Sequence, residues 1–158
     1  EMWVAPFIMA PINTKNIHRS NALMGHAYGE DFCYDEMSIT GSGDEGKARA
    51  EFMATLNPLV GDDMPAPGEG PSKESRENGN FNVLFCADMP NGETLNATVT
   101  GDMDPGYGST SKMIAESAVC LVKDCLELEG GIYTPAPSMG KKLITRLVAN
   151  AGLTFSLD

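Results

Sequence analysis

The stretch Phe81-Asn82-Val83-Leu84-Phe85-Cys86-Ala87-Asp88-Met89-Pro90-Asn91-Gly92-Glu93-Thr94-Leu95-Asn96-Ala97-Thr98-Val99-Thr100 decides the fold. Two runs rich in β-branched and aromatic residues flank Pro90-Asn91-Gly92, where Asn91 or Gly92 accepts the positive φ of a tight turn. The segment reads as a β-hairpin with strands over 81–88 and 93–100. With a period of two, Phe81, Val83, Phe85 and Ala87 share one face, while Leu95, Ala97 and Val99 alternate with Thr94, Asn96, Thr98 and Thr100. Such a hairpin has one polar face and one apolar face that needs a cover.

The cover lies downstream. From Thr110 to Leu128, Met113, Ile114, Ala118, Leu121, Val122 and Cys125 recur at helical spacing, opposite Lys112, Glu116, Lys123 and Glu127. A last helix, capped by Ser138 and running through Ala151, carries Met139, Leu143, Ile144, Leu147 and Val148 on one arc with Lys141, Lys142 and Arg146 outside, and Gly152 is placed to end it. Between them, 130–135 reads as a turn with a short strand. Upstream, Val4 to Ala10 reads as a strand that Pro6 confines to an edge or a strand start. A helix capped by Asn13 or Thr14 follows to about Ala27, then a strand over 32–40 with one wet face, then a helix from about Glu45 to Leu56. Residues 61–80 hold four glycines, three prolines and five acidic residues and read as a long loop or lid, with a helical turn at Lys73 to Glu77. Strands and helices mix without a strict βαβ repeat. The expectation is an α+β fold: a mixed, mostly antiparallel sheet covered on one face by helices, in a single domain over 1–158.

Charge narrows the partners. Eleven basic residues against 22 acidic ones leave a net charge of −11, so no basic field exists to meet a nucleic-acid backbone or an anionic membrane. No apolar run approaches the roughly 18 residues of a membrane span, and no basic leader precedes an apolar stretch, which makes the cytoplasm the expected compartment. The four cysteines form no C-x-x-C pair and have no neighbouring His, so they read as reduced core thiols and no metal site is expected. The chain opens on Glu1-Met2-Trp3-Val4, directly into apolar sequence, as a chain that begins in mid-protein would.

Gly41-Ser42-Gly43-Asp44-Glu45-Gly46 is formally the G-x-G-x-x-G of a dinucleotide-binding turn, with Asp62 and Asp63 near the place of a ribose-binding acid. Asp44 and Glu45 would, however, set two carboxylates where a pyrophosphate must sit, and the strand before them is too polar for a parallel sheet. An acidic helix start is the better reading. The second Gly-rich stretch, Thr100 to Thr110, leads into the main helix, where free amide hydrogens would hold an anion or a polarised carbonyl. Ser109 or Thr110 as an ordinary N-cap and Asp104-Pro105-Gly106 as turn chemistry explain it equally. His18 and His26 are too far apart on a helix for metal ligation, and Glu30-Asp31 and Asp35-Glu36 read as solvated charges.

Ala5-Pro6-Phe7-Ile8-Met9-Ala10-Pro11-Ile12-Asn13, Arg19-Ser20-Asn21-Ala22-Leu23, Tyr28-Gly29, Phe32-Cys33-Tyr34, Gly68-Glu69-Gly70-Pro71-Ser72, Asp104-Pro105-Gly106-Tyr107 with Lys112-Met113, Ala115-Glu116-Ser117-Ala118, and Thr134-Pro135-Ala136 with Met139-Gly140 occur in one order along nearly the whole chain. This constellation resembles the saccharopine dehydrogenase-like oxidoreductases, especially their trans-acting enoyl reductase branch. The resemblance implies a longer, two-domain parent whose N-terminal Rossmann domain binds NAD(P), and it covers only the C-terminal, substrate-side domain. That domain would place a small acyl, enoyl or imine-like substrate on its sheet and form a homodimer, with no cofactor bound by this chain and no catalysis by it alone. A standalone dimeric interaction module, or a small-ligand-binding module without catalysis, is the alternative. Motif membership makes Asn13, Arg19, Asn21, Tyr107, Ser109 and Lys112 the substrate-binding candidates, although Arg19 in an interdomain ion pair and Lys112 paired with Glu116 are competing readings. The catalytic residues remain unassigned.

Overall fold

The structure, a computed structural model, describes residues 2–56 and 68–157. The chain is α+β, in the order β1 (Met2–Pro6), α1 (Ala10–Leu23), β2 (Met37–Ser42), α2 (Gly43–Thr55), α3 (Lys73–Asn78), β3 (Phe81–Asp88), β4 (Thr94–Gly101), α4 (Gly108–Lys123), α5 (Pro135–Asn150) and β5 (Leu153–Leu157). It divides into two compact units, Glu1–Met64 and Pro65–Asp158. Every described strand pairing is antiparallel, β1 with β2 in the first unit and β3-β4-β5 in the second. Of the long segment over 61–80, residues 61–67 lie outside the described residues, as do Asp62 and Asp63; the helical turn expected near Lys73 is α3.

In the first unit, α2 packs on the β1–β2 pair and buries Ala5, Thr40, Gly46 and Ala50. Close approach explains Gly46: a Cβ there would stand 2.4 Å from the Gly41 carbonyl. The other face of the pair carries Met2, Val4, Met37 and Ile39, each about half exposed or more. Several boundaries differ from expectation: β1 covers Met2–Pro6 and does not reach Ala10, which already begins α1. Helix α1 starts before Asn13, because Pro11 fits the first turn of a helix, so Asn13 is an interior residue and not a cap. It ends at Leu23, ahead of Gly25 at φ +66°. Residues 32–36 form no strand, and β2 begins only at Met37.

In the second unit the hairpin is formed as the sequence suggests, in register from Phe81 opposite Gly101 to Asp88 opposite Thr94. Gly92 takes φ +85° and the Met89 N–H donates to the Glu93 carbonyl at 2.8 Å, which closes the turn. Strand β5 adds to β4, with Leu153 opposite Gly101 and Leu157 opposite Ala97. At one end of the apolar face, Leu147, Ala151 and Leu153 bury together with Phe81, Val99, Met113 and Leu143 against them. A second small cluster joins Cys120, Cys125 and Met139 to Leu128 and Leu143. Val83, Phe85, Leu95, Phe155 and Leu157 stay exposed on the same sheet face.

The helices are placed differently from their hydrophobic patterns. The expected inward stripe of α4 is largely outside: Ile114 is 69% and Val122 72% exposed, with Leu121 also exposed. The stripe that turns inward is Ser109, Met113, Glu116, Ser117 and Cys120. The helix stops at Lys123 and not at Leu128, since Cys125 and Leu128 form a turn of their own through Leu128 N–H to Cys125 carbonyl. Helix α5 starts at Pro135 after Thr134, and Ser138 is not its cap; its hydroxyl donates to the Thr134 carbonyl at 2.9 Å. The path breaks at Gly140 (φ +47°, ψ −129°) and ends at Asn150 before Gly152. No strand forms over 130–134. Cys120 and Cys125 are core thiols as expected, whereas Cys33 and Cys86 are exposed. Among the described residues, no helix is long and apolar enough to cross a membrane.

Candidate functional site

The candidate residues fall into two groups, one in each unit. In the first, α1 delivers Asn13, Arg19 and Asn21. Asn21 is buried, and its side chain ties the returning chain to the helix: Nδ2 donates to the Gly29 carbonyl at 2.7 Å and Oδ1 accepts the Tyr28 N–H at 2.9 Å. That turn accommodates His26 at φ +60°. It carries the chain back to a ring cluster in which Phe32 meets His18 edge-on at 5.7 Å, Tyr28 at 5.3 Å and Tyr34 at 6.2 Å between centroids. Glu36 closes the group. One carboxylate oxygen accepts the Tyr34 hydroxyl at 2.8 Å and the other accepts Asn13 Nδ2 at 2.9 Å. Burial, the hydrogen bond to Glu36 and the charges of Glu36 and Asp35 push the Tyr34 hydroxyl up to about 12, which keeps it a donor. Arg19 is exposed on the same helix.

In the second unit, Asp104 organises the head of α4. Its Oδ1 accepts the N–H groups of Gly106 and Tyr107, both at 3.0 Å, its Oδ2 accepts that of Gly108 at 2.5 Å, and its carbonyl accepts that of Ser109 at 2.8 Å. These amides hold the Asp104 carboxyl below its ordinary range, the Tyr107 bond contributing most. The amide hydrogens of Gly106, Tyr107 and Gly108 are therefore occupied by the chain's own carboxylate rather than free for an anion; the residue at the N-cap position is Tyr107 and not Ser109 or Thr110, and Asp104 reaches the helix head from three residues before that position. Gly108 has to be small here, since a Cβ would stand 2.7 Å from Asp104 Oδ2. Tyr107 is 58% exposed, with its ring over Gly70. Ser109 is fully buried and its hydroxyl has no hydrogen-bond partner. Lys112 pairs with Asp102 at 2.5 Å and not with Glu116.

Glu116 instead serves a clamp between α4 and α5 that the sequence did not reveal. Arg146 Nη1 donates to Glu116 at 3.1 Å, while Nη2 donates to Asp124 Oδ1 at 3.1 Å and Nε to Asp124 Oδ2. Lys142 reaches the Asp124 carbonyl at 2.7 Å and Glu127. Asp124 is held low, chiefly by its bonds to Arg146, and Glu127 chiefly by its bond to Lys142.

The Gly41 to Gly46 turn does not suit a pyrophosphate. It follows a strand paired antiparallel to its neighbour, so no parallel βαβ crossover frames it, and Asp44 and Glu45 occupy the first turn of α2. Among the described residues, no group of three or more His, Cys, Asp or Glu gathers to hold a metal. Beside the α4–α5 loop, a cavity of about 310 Å³ is lined by Leu121, Leu128, Gly131, Tyr133 and Ser138, and it is touched by none of the six candidates.

Comparison with known proteins gives consistent names. The chain is similar to a Mycobacterium tuberculosis protein provisionally named a trans-acting enoyl reductase, at 38% identity over 98% of this chain and 41% of that protein. It is 32% identical to the trans-acting enoyl reductase of Mycobacterium ulcerans and 33% identical to that of Mycobacterium bovis, in both cases over 92% of this chain and 39% of the relative. The chain thus spans about two-fifths of the length of the curated relatives it matches. No family model matches it, and no solved structure does.

Proposed function

We propose that this chain is the substrate-side, dimer-forming portion of an NAD(P)-dependent enoyl reductase of the saccharopine dehydrogenase-like kind, and that it is not catalytic alone. The observation that carries the reading is the extent of the match, which takes in nearly all of this chain and only two-fifths of each relative. In this reading the nucleotide sits on a Rossmann domain outside the chain. Asn13 and Arg19 in the first unit, and separately Tyr107 and Lys112 in the second, are the exposed or half-buried groups offered to a small acyl, enoyl or imine-like substrate, whereas buried Asn21 acts by holding Tyr28 in place and Ser109 is buried at the head of α4. Uncovered apolar faces on both units, including Val4 and Ile39 in the first and Phe155, Ile114 and Val122 in the second, support further burial against a second copy and another domain.

The test pairs NADPH titration calorimetry with light scattering, on this chain and on the protein extended to its relatives' length. The reading expects a dimeric short chain that does not bind NADPH and an extended protein that oxidises NADPH with an enoyl thioester. Micromolar NADPH binding by the short chain would overturn it. An extended protein that dimerises without any nucleotide binding would instead favour a pure interaction module.

A further inference from the structure

We propose that a second copy of this chain pairs along the open edge of β3, antiparallel about a two-fold axis at Leu84, so that two three-stranded sheets become one of six strands. This names the surface behind the dimer of the reading above and rests on that part of it alone. Strand β3 bonds to β4 on one side only, and every residue from Asn82 to Asp88 is exposed. The Met89 N–H donates to the Glu93 carbonyl, and the β3–β4 register runs from there without a shift. Bonded pairs alternate along an antiparallel ladder, so Phe81, Val83, Phe85 and Ala87 spend their backbone groups on β4, while Asn82, Leu84 and Cys86 turn theirs outward. The edges of β1 and β5 are poorer templates: β1 has a register shift at Trp3/Val4 and ends on Pro6, and β5 has five residues. Strand β3 has eight residues with no proline, no lysine and no bulge, which leaves its edge ready to pair.

Charge and register single out a second copy as the occupant. Two chains of net charge −11 repel, but no charged residue occurs in 81–87, 95–101 or 153–157, so two copies meet here without bringing carboxylates together. An axis at Leu84 opposes Leu84 to itself, Asn82 to Cys86 of the second copy and Val83 to Phe85 of the second copy, and it leaves Asp88, the one charged residue of β3, outside the new ladder. Val83, Val99 and Phe155 form one row across the sheet, and Phe85, Ala97 and Leu157 the next. Each Val83 row then continues into a Phe85 row of the second copy, a β-branched residue against an aromatic one. The same axis sets Phe81, at the end packed under Leu147 and Leu153, beside Ala87 of the second copy, at the bare end.

The test is oxidative cross-linking beside light scattering. In a hydrogen-bonded antiparallel pair the Cα atoms stand about 5.5 Å apart, inside the range a disulfide spans. With Cys33→Ser throughout, Asn82→Cys should give a covalent dimer on mild oxidation through the native Cys86 of the second copy, and the same chain with Cys86→Ser should give none, which excludes random collision. Leu84→Cys in the Cys33→Ser, Cys86→Ser chain should link across the axis. Leu84→Lys replaces an exposed side chain, so this variant should keep the Tm of the dilute wild type and scatter as a monomer at concentrations where wild type is a dimer, because like charges directly opposite repel. A dimer that forms neither link, or that survives Leu84→Lys unchanged, would overturn pairing through β3 and leave dimerisation itself standing. A wild-type chain that stays monomeric at every concentration would overturn both.

Discussion

Lys112 Nζ donates to the Asp102 carboxylate at 2.5 Å, which ties the first turns of α4 to the residue that follows β4. The same carboxylate fills the space beside Gly152, where a Cβ would stand 2.1 Å from Asp102 Oδ2. Gly152 is required twice over: it takes φ +71° after α5, and it leaves room for an ion pair made by two other elements. Helix termination, strand exit and the head of α4 thus meet at one glycine.

Gly152→Ala should destabilise the chain by about 1–2 kcal/mol from the left-handed backbone alone, with a further loss from displacing Asp102. In an Asp102→Ala background only the backbone part should remain. Urea denaturation of the four chains of this double-mutant cycle measures the difference. An identical cost in both backgrounds would mean that Asp102 swings aside freely.

Asn21→Ala should cost about 1–3 kcal/mol, because the Tyr28 N–H and the Gly29 carbonyl would lose their partner beside a buried position. Asn21→Asp keeps the acceptor and loses the donor, so it should fall between. Loss of Tm in the order wild type, Asp, Ala checks the assignment; an Ala variant as stable as wild type would refute it.

The hairpin was legible because period-two alternation and Asn-Gly turn chemistry are both local, and they agree. Strand β5 was not, although Leu153, Phe155 and Leu157 alternate, because five residues after a helix stop carry little pattern by themselves. The inward face of α4 was misread for a physical reason: its inner stripe includes Ser109, Glu116 and Ser117, and Glu116 is satisfied by Arg146 and Asn150, 30 and 34 residues away. No local pattern encodes such a partner. At the candidate site, Asp104-Pro105-Gly106 signalled a turn but not a triple amide cap, and Tyr34 and Glu36 looked like ordinary polar residues until Asn13 was seen to bond Glu36.

Two groups should titrate with opposite sign. Tyr34 is raised in the folded chain, so its contribution to stability is complete below about pH 10, its unfolded value, and is lost as pH climbs through about 12. Absorbance titration should show a late tyrosinate step that is absent in Tyr34→Phe.

Asp104 is held low in the folded chain, so its contribution is complete above about pH 4, its unfolded value, and is lost as pH falls through the lower folded value. Acid denaturation of Asp104→Asn should show a shallower loss of stability than wild type below pH 4. Superimposable acid limbs would mean that the amide cap adds nothing to the charged form.

The orientation of α4 makes the last prediction. If the outer stripe is uncovered, Ile114→Ser and Val122→Ser remove nothing from the core and should change the stability of the dissociated chain by no more than about 0.5 kcal/mol. Leu147→Ala, inside the cluster with Ala151 and Leu153, should cost about 2–5 kcal/mol. The contrast is sharp because the hydrophobic pattern alone ranks all three as core residues. Dilution separates packing within a copy from packing between copies: a substitution at Ile114 or Val122 that acts only by breaking an association lowers Tm at high protein concentration and not at low. A large loss at both concentrations would place the stripe in the core of the single chain and reverse the assignment of the inward face.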